Sequence, residues 1–161
     1  MALAILITVK ALPVAAEGSG KTPPNVRQEG TCGGSDTRPE ILVRIKGIRN
    51  DEGNLRVNVY NDKPGEFLAK GKKIVRVDMP TQSGSMDVCV RVPKEGTYAL
   101  VVLHDRNANG KVNPLSDGMG ASNDTGKRMR KPKHHEAAFT VGPGRTELDV
   151  TVRYLFRKSE K

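Results

Sequence analysis

Met86-Asp87-Val88-Cys89-Val90-Arg91-Val92 is the stretch that decides the fold class. Side chains alternate between the two faces of an extended strand, so Met86, Val88, Val90 and Val92 share one face and Asp87, Cys89 and Arg91 the other. The same period of two recurs along the chain. Ile41, Val43 and Ile45 alternate with Leu42, Arg44 and Lys46, and Leu55, Val57 and Val59 with Arg56, Asn58 and Tyr60. Val75, Val77 and Met79 alternate with Arg76 and Asp78. Each run predicts a half-buried strand. Tyr98–Leu103 is apolar on both faces and predicts a central strand. Ala137–Val141 and Leu148–Tyr154 supply two more, and turn signals such as Asn50-Asp51-Glu52-Gly53-Asn54 and Gly142-Pro143-Gly144 separate the runs. No stretch shows helical periodicity, although residues 62–72 leave room for one helical turn. The expectation is an all-β chain: a single seven-stranded antiparallel β-sandwich, immunoglobulin- or transthyretin-like. One long ordered loop, from Asp105 to His134, carries no strand pattern and is long enough to suggest a function.

The chain has 161 residues, enough for one domain. Hydrophobic residues make up 36% and aromatics 4%, with no Trp, so the core must be aliphatic. Residues 1–16 read as a signal peptide: an apolar start followed by Val14-Ala15-Ala16, the small-x-small pattern of a cleavage site. This predicts a periplasmic or secreted protein with no transmembrane segment. Residues 17–39 read as an N-terminal arm or linker, 40–156 as the β-sandwich domain and 157–161 as a basic tail. Cys32 and Cys89 suit an oxidising compartment, where a bond between them would stabilise the fold by about 4 kcal/mol. Cys89 points outward, where the arm can cross and meet it. The net charge of +9 favours anionic surfaces, and export sets nucleic acid aside as a partner.

The chemistry-bearing motif is His104-Asp105-Arg106-Asn107-Ala108-Asn109-Gly110-Lys111. Oxygen side chains at every second position followed by a glycine are how a short loop wraps a hard cation. Asp105, Asn107, Asn109, the Lys111 carbonyl, Asn113 and Asp117 form the candidate ligand set for calcium. Two carboxylates among neutral oxygens predict weak binding, on the order of 10⁻⁴–10⁻³ M. The alternative is an Asx-rich turn whose oxygens bond only to the backbone. Lys127, Arg128, Arg130, Lys131 and Lys133 form a basic run that can grip an anionic envelope polymer such as an acidic polysaccharide, or can be simply a solvated loop. His104 reads as a structural histidine in preference to a metal ligand. A hydrolase using His104 and Asp105 lacks a nucleophile in a recognisable elbow.

Several of these pieces together resemble a known family. They are Gly96-Thr97-Tyr98-Ala99-Leu100, the His104–Lys111 motif, Asp117-Gly118-Met119-Gly120-Ala121-Ser122-Asn123, Val152-Arg153-Tyr154-Leu155, and Phe67-Leu68 with Gly71-Lys72. In this spacing the chain is similar to the secreted bacterial domain-of-unknown-function family 2141 over roughly Ile41 to Tyr154. The resemblance implies an export signal and a transthyretin-like or carboxypeptidase-regulatory β-sandwich, with no established activity. Similar proteins often carry an acidic residue at the position of Asn113 and an aromatic at that of Ala121. The combined expectation is an exported, non-enzymatic β-sandwich with a weak calcium loop and a ligand- or partner-binding role.

Overall fold

The computed structural model describes residues 26–28, 30–124 and 130–156, with only the backbone described for 26–28. The signal-peptide and basic-tail assignments and Lys127 and Arg128 fall outside the described residues. The expected runs appear as strands: β2 (Glu40–Ile48), β3 (Asn54–Asn61), β4 (Lys73–Pro80), β5 (Gly84–Arg91), β6 (Gly96–Asp105), β8 (Ala138–Val141) and β9 (Arg145–Thr151). Three short strands join them: β1 (Val26–Gln28), β7 (Gly118–Ala121) and β10 (Arg153–Tyr154). One helical turn, α1 (His134–Ala137), precedes β8.

The chain is all-β, but the single seven-stranded antiparallel arrangement gives way to two sheets. The large sheet has seven strands in the order β1-β4-β3-β6-β7-β10, with β8 paired to β6 beside β7. The small sheet is β5-β2-β9. Two pairings are parallel, β1 with β4 and β2 with β9. Alternation reveals which face a residue takes and carries no information on strand direction, so the antiparallel expectation missed these two pairings. The Leu148–Tyr154 run also divides. β9 stays in the small sheet, Val152 donates its N–H to the Lys46 carbonyl at 2.8 Å, and β10 continues in the large sheet.

The Asp105–His134 segment is not strandless, because β7 lies within it. Gly118-Met119-Gly120-Ala121 has no β-branched residue, so composition hides it. Its glycines serve a close approach. A Cβ on Gly118 would stand 2.5 Å from Val152 Cγ1, and one on Gly120 2.6 Å from the Thr151 carbonyl. The helical turn expected around Phe67 is a series of turns instead, and among the described residues the helical turn sits at α1.

The two sheets face each other across one aliphatic core. Ile41, Val43 and Ile45 of the small sheet meet Leu55, Val57 and Leu100 of the large one. Burying a side chain of this size stabilises by about 1.5–3 kcal/mol. The described part of the N-terminal arm belongs to this structure. β1 runs along β4 in the order Val26–Val75 to Gln28–Val77. The Cys89 N–H donates to the Gly30 carbonyl at 2.8 Å, and Cys32 and Cys89 form a disulfide closing a separation of 57 residues.

Candidate functional site

The large sheet has a second buried face. Across the strands, opposite the core, β3 presents Arg56, Asn58 and Tyr60, which were expected to face solvent. They are 7%, 6% and 3% exposed. β6 presents Ala99, Val101 and Leu103 on the same side, all buried. The pairing sets the rows of this face. Asn58 lies opposite Arg76 on β4 and Val101 on β6, and Val101 lies opposite Ala121 on β7. One step along, Arg56 lies between Asp78 and Leu103, with Met119 beyond and Arg153 on β10 after it.

The connections around β7 overhang this face and leave a groove of about 950 Å³. Val101, Leu103, Met119 and Ala121 form its apolar floor, while Leu68, Val112, Pro114 and Leu155 contribute walls. Leu68 takes φ 61°, in the left-handed region. A bulky residue held there costs on the order of 1–3 kcal/mol and persists only where packing compels it. Here it packs against the buried cluster of Tyr60, Phe67, Val101 and Ala121. The ring of Phe67 meets Tyr60 edge-on at 5.3 Å and His134 at 5.7 Å.

Two polar groups in the groove stand out. The Asn58 Oδ1 is buried and has no hydrogen-bond partner among the described residues. Such an orphan costs about 1–3 kcal/mol unless a ligand or water fills its need for a donor. The Lys73 ammonium forms no hydrogen bond or ion pair with a described residue. Burial first, then Arg76 and Arg56, hold its ammonium below the usual lysine range, partly offset by Asp78. The other charges here are largely matched within the protein. Arg56 Nε donates to Asp78 Oδ1 at 2.6 Å, Arg76 Nε donates to Asp78 Oδ2 at 2.6 Å, and Arg153 pairs with Asp124 at 2.7 Å. Burial opposes the Asp78 charge, yet the hydrogen bonds from Arg76 and Arg56 prevail and lower its pKa.

The loop that carries the candidate calcium residues borders the groove beside Arg56 through Gly110, Val112, Pro114 and Asp117. Asp105 is fully buried. Its Oδ1 accepts the Asn109 N–H at 3.2 Å and its Oδ2 the Gly110 N–H at 2.8 Å, while Arg56 Nη2 stands 3.7 Å from Oδ2. Asn107 Oδ1 accepts from Asn109, and Asn109 Oδ1 accepts the Lys111 N–H at 2.7 Å. Gly110, at φ 77°, supplies the expected reversal. Asn113 and Asp117 close a second turn. Asp117 Oδ2 accepts the Asn113 N–H at 2.8 Å, and Asn113 Oδ1 accepts from Leu115 at 3.1 Å. Asp117 Oδ1 also takes the Ser116 hydroxyl at 3.0 Å and the Arg106 N–H at 3.3 Å. The loop is thus a ladder of side-chain-to-backbone turns. Among the described residues no cluster of three or more His, Cys, Asp or Glu side chains converges as a metal site.

Two residues of the described part of the basic run stand at the groove rim. Arg130 and Lys131 line the groove and are exposed. Arg130 is ion-paired with Glu136, whose carboxyl is pulled down to about 2 by that hydrogen bond and by the Lys133 N–H. Lys133 precedes α1 with an exposed side chain.

His104 is wholly buried and locked in place. Its Nε2 lies 2.7 Å from the Glu52 carbonyl and its Nδ1 2.5 Å from the Tyr154 hydroxyl. The carbonyl only accepts, so Nε2 carries the hydrogen and Nδ1 accepts from Tyr154. Burial raises the Tyr154 pKa, and the neighbouring Arg49 partly offsets it, with its guanidinium 4.1 Å from the ring centre. Ser122, the buried hydroxyl in this segment, accepts the Leu100 N–H at 3.0 Å and also bonds to the Ala137 carbonyl, so it does not meet His104. His104 and Ser122 are accordingly spent on structural bonds.

Sequence reasoning found the disulfide and missed the groove. The signal was present in Tyr98–Leu103: a strand apolar on both faces requires a cover on each. Residues 43–149 match the family described as "Uncharacterized protein conserved in bacteria (DUF2141)". No curated protein and no solved structure matches the chain.

Proposed function

Because the chain belongs to this uncharacterized bacterial family, its role must be argued from its own groove, and we propose that it is an exported, non-enzymatic binding domain that seats a small ligand on the outer face of its large sheet. The observation that carries the reading is the Asn58 carbonyl, buried beside the apolar floor of the groove without a donor among the described residues. Binding sites are concave, mostly apolar and furnished with a few orienting polar groups, and a volume near 950 Å³ falls at the upper end of their usual range of roughly 300–1,000 Å³. No described helix is long and apolar enough to cross a membrane. The 105–117 loop acts as one wall. Calcium is assigned to it only as a weak ordering ion, since its oxygens already accept backbone amides and Arg56 already faces Asp105.

A second reading, an anionic envelope polymer held along the rim, is favoured by Lys131, exposed at the groove, and by the exposed Lys133 two residues on. The two readings separate with a neutral apolar dye, Nile red. The groove reading expects saturable one-to-one binding that Met119→Trp blocks, whereas Glu147→Trp, on the outer face of the small sheet, leaves it intact. Equal dye binding by both variants would overturn the groove reading. Loss of polymer binding on replacing the five basic residues with Gln, with dye binding retained, would favour the rim.

A further inference from the structure

The groove is chemically asymmetric, and the asymmetry names a ligand class. Lys73, on β4, lies at one end. Its ammonium is half-buried, has no ion-pair partner among the described residues, and has Arg56 and Arg76 nearby. The apolar floor of Val101, Leu103, Ala121 and Met119 occupies the middle, on β6 and β7. Leu155 follows β10 at the far end, 48% exposed, and Val112 in the groove wall is 53% exposed. The sheet order β4-β3-β6-β7-β10 places four strand spacings between the ends, roughly 19 Å. A cation, an apolar trough and an open apolar lip in line fit a long, thin molecule with one charged end. Asn58 lies on β3, next to β4 and two residues from Tyr60, the partner of Lys73. A hydrogen-bond donor close to the charged end of such a molecule would satisfy its orphaned Oδ1.

We infer that the groove binds a single-chain amphiphile, with an anionic head at Lys73, a hydroxyl near that head donating to Asn58 Oδ1, and an alkyl chain running over Val101 and Met119 toward Leu155. This rests on the groove reading above and adds the chemistry of the occupant. Carboxylate and phosphate heads share that chemistry and are separated by the probes.

The test is isothermal titration of the full, oxidised chain with dodecanoate, dodecyl phosphate, β-hydroxydodecanoate and the neutral dodecanol. Both anions should bind at least tenfold tighter than dodecanol, and the tighter of the two identifies the head group. Lengthening the chain by two methylenes should tighten binding roughly tenfold until the trough is filled. Lys73→Gln should erase the gap between anion and alcohol while leaving dodecanol unchanged. The added hydroxyl should tighten binding at least fivefold in wild type and not in Asn58→Leu. Equal affinity for dodecanoate and dodecanol, or a gap that survives Lys73→Gln, overturns the inference while Nile red binding preserves the groove reading. If neither the amphiphiles nor Nile red bind, both fail.

Discussion

The outward faces of the two sheets obey the same alternation and end in opposite environments. On the small sheet, Arg44 faces Glu147 at 2.9 Å and Lys46 faces Asp149 at 2.9 Å, an exposed ladder of matched charges. One end is covered, where the arm meets Cys89 and Leu42 is buried, and Glu40 holds Arg91 at 3.1 Å and Arg145 at 2.8 Å. On the large sheet the corresponding face lies under the β7 connections, with Arg56 and Asn58 buried and a groove left open. A polar residue at an outward position therefore has no fixed meaning. On one sheet it faces water. On the other it marks a polar group kept inside for a reason, and Asn58 is the case where no atom of the described residues supplies that reason.

The largest expected effect concerns the covered end of the small sheet. Replacing Cys32 and Cys89 together with Ser should destabilise the fold by about 4 kcal/mol, within a usual range of about 2–5, as read by denaturant unfolding. A loss below 1 kcal/mol would mean that the arm is held by β1 alone. The next test contrasts the faces directly. Leu103→Ala removes apolar volume from the groove floor and should cost about 2–3 kcal/mol, whereas Glu147→Ala breaks an exposed pair and should cost under about 1 kcal/mol. Similar losses at both sites would erase the distinction drawn between the faces.

Acid titration sharpens it further. Asp78 has a lowered folded-state pKa, so its contribution is present above the unfolded value near 4 and is lost as pH falls below it. Asp78→Asn should flatten that limb of the stability curve and, by leaving the buried Arg56 with fewer acceptors, also lower stability at neutral pH. Asp149 is lowered too, by its hydrogen bond from Lys46, but it is exposed, and Asp149→Asn should change the limb less. The smallest effect belongs to calcium. At a concentration near Kd the gain is about 0.4 kcal/mol, which corresponds to about 2 °C in melting temperature against chelator. Asp105→Ala should remove that shift. No shift in wild type would leave the loop as a pure ladder of Asx turns.

Much of this was legible in the sequence, and the remainder was hidden for physical reasons. Val88 and Val90 announced a core-facing strand side, and Cys89, on the opposite side, met the arm as its position suggested. His104 proved a bonded core histidine. β7 was invisible because Gly118 and Gly120 carry no side chain to alternate, and their value lies in letting Val150 and Val152 come close. The groove was invisible because Arg56, Asn58 and Tyr60 read as a wet face, and only the β3–β6 pairing and the overhanging connections turn that face inward. The spacing of Asp105, Asn107 and Asn109 predicts convergence around something. Backbone amides satisfy the pattern as well as a cation does, since both need the same inward oxygens.

The groove is the centre of this account, and an amide NMR titration of the uniformly ¹⁵N-labelled chain with dodecanoate tests it most directly. The account predicts shifts concentrated at Asn58, Lys73, Val101, Met119 and Ala121, with Arg44, Lys46, Glu147 and Asp149 unmoved. Shifts of equal size on both sheets, or confined to the small one, would contradict it.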